Sequence, residues 1–239
     1  MERLDIFLFK NNFFESRKKA QNEIANGNIC VDGKIVTKPS FVVDDNAKIE
    51  VIGQVLKYVS RAGLKLEGAK KQFGLSFEDK VVLDIGASTG GFSDFCLQNG
   101  AKKVYAVDVG TNQLHQKIKD NEKVVNMEKT DIRDVELCDV DIAVSDVSFI
   151  SLTKIAQKVS KLLKSGGEFV ALVKPQFECG KEIAKKCRGV VKDARVQEQC
   201  KNNVIGCYQS LGFRLVGVCE SPILGGDGNL EFLSYFVKI

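Results

Sequence analysis

Two sets of residues in this chain have types and spacings suited to chemistry. The first is the run from Val81 to Phe92, where the apolar strand Val81-Val82-Leu83-Asp84-Ile85 passes into the small-residue turn Gly86-Ala87-Ser88-Thr89-Gly90-Gly91 and then Phe92. A strand that stops at small residues and opens a helix leaves backbone N–H groups pointing into a pocket, free to receive a polar ligand. Tyr105-Ala106-Val107-Asp108 supplies a second strand ending in a carboxylate, placed to accept hydrogen bonds from a ribose diol. The pattern points to a nucleotide-type cofactor. The second set is Lys65, Asp146, Lys174 and Glu231. Asp146 ends the strand Ile142-Ala143-Val144-Ser145, Lys174 ends Phe169-Val170-Ala171-Leu172-Val173, and Glu231 opens Phe232-Leu233. A lysine between Val173 and Pro175 at the end of a buried strand needs a reason. Two lysines in a partly desolvated cleft depress each other's pKa, while neighbouring carboxylates raise it again and fix the geometry; such groups suit general-base work.

Spacing and composition exclude several chemistries. The glycine turn does not end in Gly-Lys-Ser/Thr, so it is not a phosphate-cradling loop, and it lacks the second glycine of a dinucleotide fingerprint. The one histidine, His115, lies in a polar stretch read as surface, which leaves no Ser-His-Asp triad. Eight cysteines are scattered without a Cys-x-x-Cys pair, so no metal is expected and the thiols fit a reducing cytoplasm. With 239 residues, 44% hydrophobic and 28% charged, the sequence reads as globular and soluble. No apolar run approaches the roughly 18 residues of a membrane span. Met1-Glu2-Arg3-Leu4-Asp5 does not open a secretory signal, and a cytoplasmic, monomeric protein is expected.

The elements that must position these residues fall into two groups. Residues 1–53 read as a small unit: an apolar opening helix, a second helix capped by Ser16 and stopped by Gly27, and a hairpin around Asp32-Gly33, a pair that tolerates positive φ. Residues 54–60 read as a connector, after which Ser60 caps a helix that includes Leu64, Ala69 and Phe73. Strands are expected at 81–85, 103–108, 123–126, 141–145, 168–174, 213–220 and 231–238, with helices in most intervals and the last two strands antiparallel. The fold class is thus α/β, with a seven-stranded, mostly parallel sheet over residues 61–239 and a small α+β unit before it. Residues 1–53 carry eight Lys/Arg against eight Asp/Glu, whereas 54–80 carry six against three and 181–201 seven against three, so a polyanion is expected against the last two segments.

Three resemblances give these elements a function. The order Arg3-Leu4-Asp5, Ser16-Arg17, Ala20, Ile24, Gly27, Val31-Asp32-Gly33 and Lys38-Pro39 resembles the S4-type RNA-binding domain, which implies that Arg3, Arg17, Lys18, Lys19, Lys34 and Lys38 face RNA phosphates. The form Asp84-x-Gly86-x-x-x-Gly90 resembles the first motif of S-adenosylmethionine-dependent methyltransferases. That likeness lays Asp84 to Phe92 against the methionine portion, gives the ribose to Asp108 and the adenine to Asp131-Ile132, and makes Asp146 close the pocket. Lys65, Asp146, Lys174 and Glu231 resemble the tetrad of FtsJ-type RNA ribose 2′-O-methyltransferases, with Lys174 as the deprotonating or alkoxide-stabilising residue and the other three orienting it.

Asp84 to Phe92, Ser145-Asp146-Val147-Ser148-Phe149, Val173-Lys174-Pro175-Gln176-Phe177-Glu178 and Gly228-Asn229-Leu230-Glu231-Phe232 together resemble the TlyA (haemolysin A) family across the chain. The family implies 2′-O-methylation of cytidine in ribosomal RNA, here of the large subunit, with ribosomal RNA or a ribosomal subunit as partner. Arg61, Lys181, Lys185, Lys186 and Arg188 are expected to touch RNA. The segment Gly180 to Lys192 is expected to clamp RNA and to move without it, and the connector to relay RNA binding to the cofactor. The competing readings are a non-catalytic assembly factor and a membrane-active haemolysin.

Overall fold

In the computed structural model, which describes residues 1–14, 16–44, 46–52 and 57–239, the chain divides into two compact units, Met1–Lys57 and Tyr58–Ile239. Residues 54–56 of the expected connector lie outside the described residues; Tyr58 to Ser60 belong to the second unit.

The first unit runs β1 (Glu2–Arg3), α1 (Leu4–Lys10), α2 (Arg17–Ala25), β2 (Ile29–Val31), β3 (Lys34–Ile35), β4 (Val42–Val43) and β5 (Ile49–Val51). Leu4 and Leu8, one turn apart on α1, meet Ala20 and Ile24, one turn apart on α2, and close on Ile29, Val31, Val36 and Val43. The Ser16 side chain accepts from the Lys19 N–H at 3.1 Å, a cap worth about 1 kcal/mol. Asp32 and Gly33 have φ of 49° and 80°, and Val31 pairs with Lys34 across them: the primed turn that the Asp-Gly pair favours.

The second unit alternates. Its elements are α3 (Ala62–Phe73), β6 (Val81–Ile85), α4 (Gly91–Gln98), β7 (Lys103–Asp108), α5 (Gln116–Lys119), β8 (Val124–Glu128), β9 (Val140–Ser145), α6 (Ala156–Leu162), β10 (Leu163–Val173), α7 (Pro175–Glu178), α8 (Lys181–Lys186), α9 (Ala194–Ser210), β11 (Phe213–Glu220) and β12 (Phe232–Lys238). They form one seven-stranded sheet of order β11-β12-β10-β9-β6-β7-β8. The five strands from β10 to β8 are parallel, and β12 lies antiparallel between β10 and β11. Alternate residues feed two cores, Leu83, Ala143 and Phe169 on one face, Val82, Ile142 and Val170 on the other, as a sheet covered on both sides requires.

Two local readings are corrected. Ser60 does not cap α3: Arg61 holds the N-cap position without a side-chain bond, because Ser60 Oγ is packed where a Cβ on Gly91 would lie 2.2 Å away. Strand β10 begins at Leu163 rather than 168, with a register shift before Glu168 and φ of 74° at Gly166. The order of strands also fixes where ligands bind. From β6 the chain moves outward to β7 and β8, then returns to β9 on the other side of β6. Crevices open at such a reversal, beyond the carboxyl ends of the strands.

Candidate active site

The residues after β6 and β9 meet at that reversal. Gly86 has φ of 81°, and a Cβ there would stand 3.1 Å from the Asp146 carbonyl oxygen and from Val147. The turn is fixed by backbone bonds, Gly86 N and Ala87 N both donating to Val107 O, at 2.9 and 3.1 Å. Asp108 accepts from Ser88 N at 2.8 Å and from Gly110 N at 2.7 Å, one bond on each oxygen. Each oxygen keeps a further acceptor site for a ribose hydroxyl.

Two cavities share this wall. One of about 390 Å³ is lined by Gly86, Ser88, Asp108, Gln113, Asp131 and Ile132. The other, of about 320 Å³, is lined by Lys65, Thr89, Phe92, Lys174, Gln176 and Glu231. Gly86, Ser88, Asp146, Ser148 and Phe149 line both. The first has the size of a small-molecule site, roughly 300–1,000 Å³, and carries a carboxylate and apolar walls suited to an adenosine cofactor.

The second cavity holds the four charged side chains. Lys65 Nζ donates to Glu231 Oε2 at 2.7 Å and stands 3.9 Å from Asp146 Oδ2. Lys174 Nζ lies 2.6 Å from Asp146 Oδ1, an ion-pair contact rather than an aligned hydrogen bond. It donates instead to Ser148 Oγ at 2.9 Å and to the Asp146 carbonyl at 3.4 Å. Charges therefore alternate from Glu231 through Lys65 and Asp146 to Lys174, and the two lysines are 8% and 7% exposed. Burial at that level is tolerated because each ammonium is paired and bonded. The four groups come from α3, the end of β9, the end of β10 and the start of β12, so no local segment could assemble them.

Several side chains here had no role assigned from sequence. Gln176 Nε2 donates to Glu231 Oε1 at 3.3 Å, and a Cβ on Gly225 would press on that oxygen at 2.5 Å. Phe149 is 92% exposed, holds φ of 66° and lies 5.1 Å from the Phe177 ring, so an aromatic face stands open at the junction of the cavities. Glu128, at the end of β8, accepts from Gln113 N at 2.9 Å and Leu114 N at 3.1 Å and so shapes the loop beside Asp108. Those bonds, Leu114 N–H first, pull its carboxyl down to about 2.

Other sequence-predicted residues lie elsewhere. Asp84, Gly90 and Gly91 line neither cavity. Asp84 is wholly buried under the turn, accepting from Ser93 Oγ at 2.7 Å, and burial pushes its pKa up to about 7. A Cβ on Gly90, whose φ is 90°, would lie 2.8 Å from Leu114, and one on Gly91 2.2 Å from Ser60 Oγ. Ala87, Thr89 and Phe92 face the second cavity rather than the first. Asp131 is gripped by Arg133, whose Nη2 lies 2.6 Å away and lowers its pKa. Lys18, Lys34, Lys38, Arg61, Lys181, Lys185, Lys186 and Arg188 are exposed, and Lys19 is half-buried. The far end of the segment Gly180 to Lys192 is tied down by Asn229, 1% exposed, which accepts from Val191 N and donates to Gly189 O.

This sheet order, with its glycine turn and strand-end acids, is the fold of the S-adenosylmethionine-dependent methyltransferases. Residues 58–238 match the FtsJ-like methyltransferase family and residues 2–49 the S4 domain, so the chain belongs to the FtsJ-like methyltransferases and carries an S4 domain. Hemolysin A of Brachyspira hyodysenteriae is 45% identical, over 98% of this chain and 99% of that one. The 23S rRNA (cytidine-2′-O)-methyltransferase TlyA of Campylobacter jejuni is 35% identical, over 95% of this chain and 83% of that protein. The 16S/23S rRNA (cytidine-2′-O)-methyltransferase TlyA of Mycobacterium tuberculosis is 36% identical, over 96% and 87%. A solved structure described as a hemolysin of Streptococcus thermophilus shares 43% identity and a TM-score of 0.78, covering 99% of this chain and 88% of that one.

Proposed function

We propose that this chain transfers the methyl group of S-adenosylmethionine to the ribose 2′-oxygen of a cytidine in ribosomal RNA, with the large-subunit RNA as its substrate. One observation carries the reading: Lys174 and Asp146 pair at the wall shared by a cofactor-sized cavity and a second, charged one. The two TlyA relatives support cytidine in ribosomal RNA, and the name of the Campylobacter protein supports the large subunit.

S-adenosylmethionine supplies a sulfonium-bound methyl, open to in-line attack. Asp108 would hold it at the ribose, with Gly86 and Ser88 lining the wall beside it and Asp131 and Ile132 lining the adenine end. The chain's own task is to bring a weak nucleophile into line. Lys174, in its neutral form, would take the 2′-hydroxyl proton as the oxygen gives its electron pair to the methyl carbon and the carbon–sulfur bond breaks with its pair left on sulfur; as an ammonium it would bond the developing alkoxide while the hydroxyl proton passes to solvent. Asp146 and Ser148 fix the Lys174 head, while Glu231, held by Lys65 and Gln176, closes the far side. Placing oxygen, carbon and sulfur in line supplies much of the rate. The exposed cations of both units take RNA phosphates without reading sequence.

The test incubates purified protein with labelled S-adenosylmethionine and undermethylated ribosomal subunits, and maps the label. Ribose 2′-O-methylcytidine in the large-subunit RNA, lost in Lys174→Ala, is the expected result. RNA binding without transfer would favour a non-catalytic assembly factor and refute the reading.

A further inference from the structure

The first unit contains a buried acid that neither cavity uses. Asp5 lies in the first turn of α1, fully buried, with its backbone N–H donating to Pro39 O at 3.1 Å. Burial alone would push its carboxyl up, but three side chains outweigh that and hold it far below the usual carboxylate range. Arg3 donates from Nε to Oδ1 at 3.0 Å and from Nη2 to Oδ2 at 3.3 Å. Arg17 donates from Nε to Oδ2 at 2.8 Å, and Gln21, one turn further along α2, adds a bond of 2.7 Å to the same oxygen.

Two guanidiniums this close repel, and an ionised carboxylate behind them removes that cost. The trio keeps a net charge of +1. Donors remain at the surface: among the described residues Arg17 is bonded through Nε and Arg3 through Nε and Nη2, and their side chains are 48% and 44% exposed. If Asp5 served packing alone, an apolar side chain would fill the site as well or better. Arg3, held along one edge, and Arg17, held at Nε, keep terminal nitrogens that can bind phosphate oxygens.

We infer that Asp5 is a positioning residue that sets Arg3 and Arg17 as the two arms of one phosphate grip, both closing on a single phosphodiester group of the RNA. The inference rests on reading the chain as an RNA-modifying enzyme and adds how its first unit holds RNA.

Binding of the full chain to a ribosomal RNA fragment, measured across a salt series, tests it. Each of Arg3→Gln and Arg17→Gln lowers the slope of log affinity against log salt by about 0.7–0.9, the contribution of one phosphate, and the double variant lowers it no further. Asp5→Asn weakens binding about tenfold at fixed salt while Asp5→Glu restores part of it, although losing an acid next to a polyanion would by itself strengthen binding. Slope losses that add in the double variant, or an Asp5→Asn chain that binds RNA as well as the wild type, would overturn the grip. Should Asp5→Asn lack the native circular dichroism, the arginine slopes decide alone. Methyl transfer by the wild type separates the two proposals. Non-additive slopes without transfer leave the grip and refute the enzymatic reading; transfer with additive slopes does the reverse.

Discussion

Gly86 and Asp146 leave adjacent parallel strands at the same edge, and Asp146 N donates to Ile85 O at 3.0 Å, so the glycine turn and the acid that pairs Lys174 are one backbone unit. A Cβ on Gly86 would intrude between them, at a φ where side chains cost about 1–2 kcal/mol. Gly86→Ala is therefore expected to weaken S-adenosylmethionine binding tenfold or more, on the order of 1.4 kcal/mol, by isothermal titration. A wild-type Kd would contradict this geometry.

Lys174 is expected to be needed as an amine of adjustable charge. Lys174→Ala should lower kcat by about 10²–10⁴-fold, the usual worth of a positioned base. Lys174→Arg should not recover it, because a guanidinium does not give up its proton at working pH. Single-turnover methyl transfer measures both; an active arginine variant would show that charge alone suffices.

Glu128 shapes the loop at Gln113 and Leu114 without lying beside the reacting atoms. Glu128→Gln keeps its shape but loses the charge that bonds two backbone N–H groups. The KM for S-adenosylmethionine is expected to rise severalfold with kcat little changed. Equal losses in kcat and kcat/KM would instead place Glu128 in the chemical step.

Asp84 makes stability depend on pH. The unfolded chain releases this proton near the ordinary value of 3.8, and the folded chain keeps it until about 7. Between those values the folded state binds more protons, so this group's contribution falls as pH rises through the window and levels off above it. Asp84→Asn retains an acceptor for Ser93 and is expected to match the wild type near pH 4 and exceed it at pH 8, with ~1.4 kcal/mol per pKa unit as a ceiling. Urea unfolding at both pH values is the measurement, and a gain of equal size at each would exclude the mechanism.

What the sequence made legible follows from range. Strand ends such as Asp108, Asp146 and Lys174 could be read because apolar runs stop there, and the hairpin at Asp32-Gly33 because its turn chemistry is local. Asp84 stands in the motif, yet alternation along β6 buries it beneath the turn, where it accepts from Ser93. Gln176 on Glu231, Glu128 on Leu114 and Asn229 on Gly189 are separated by 55, 14 and 40 positions, and nothing periodic announces such contacts. Local preference puts Ser60 at a helix cap, whereas its hydroxyl is packed against Gly91 and Arg61 takes the cap position.

The threading of β12 between β10 and β11 has a consequence for how the molecule is made. Glu231, the last of the four charged groups to be synthesised, enters the site only when its strand slots between two strands already present in the chain. A ribosome-bound precursor without β12 can carry the complete glycine turn and still lack the partner of Lys65. Glu231 thus meets Lys65 only in a sheet whose last strand has paired with β10.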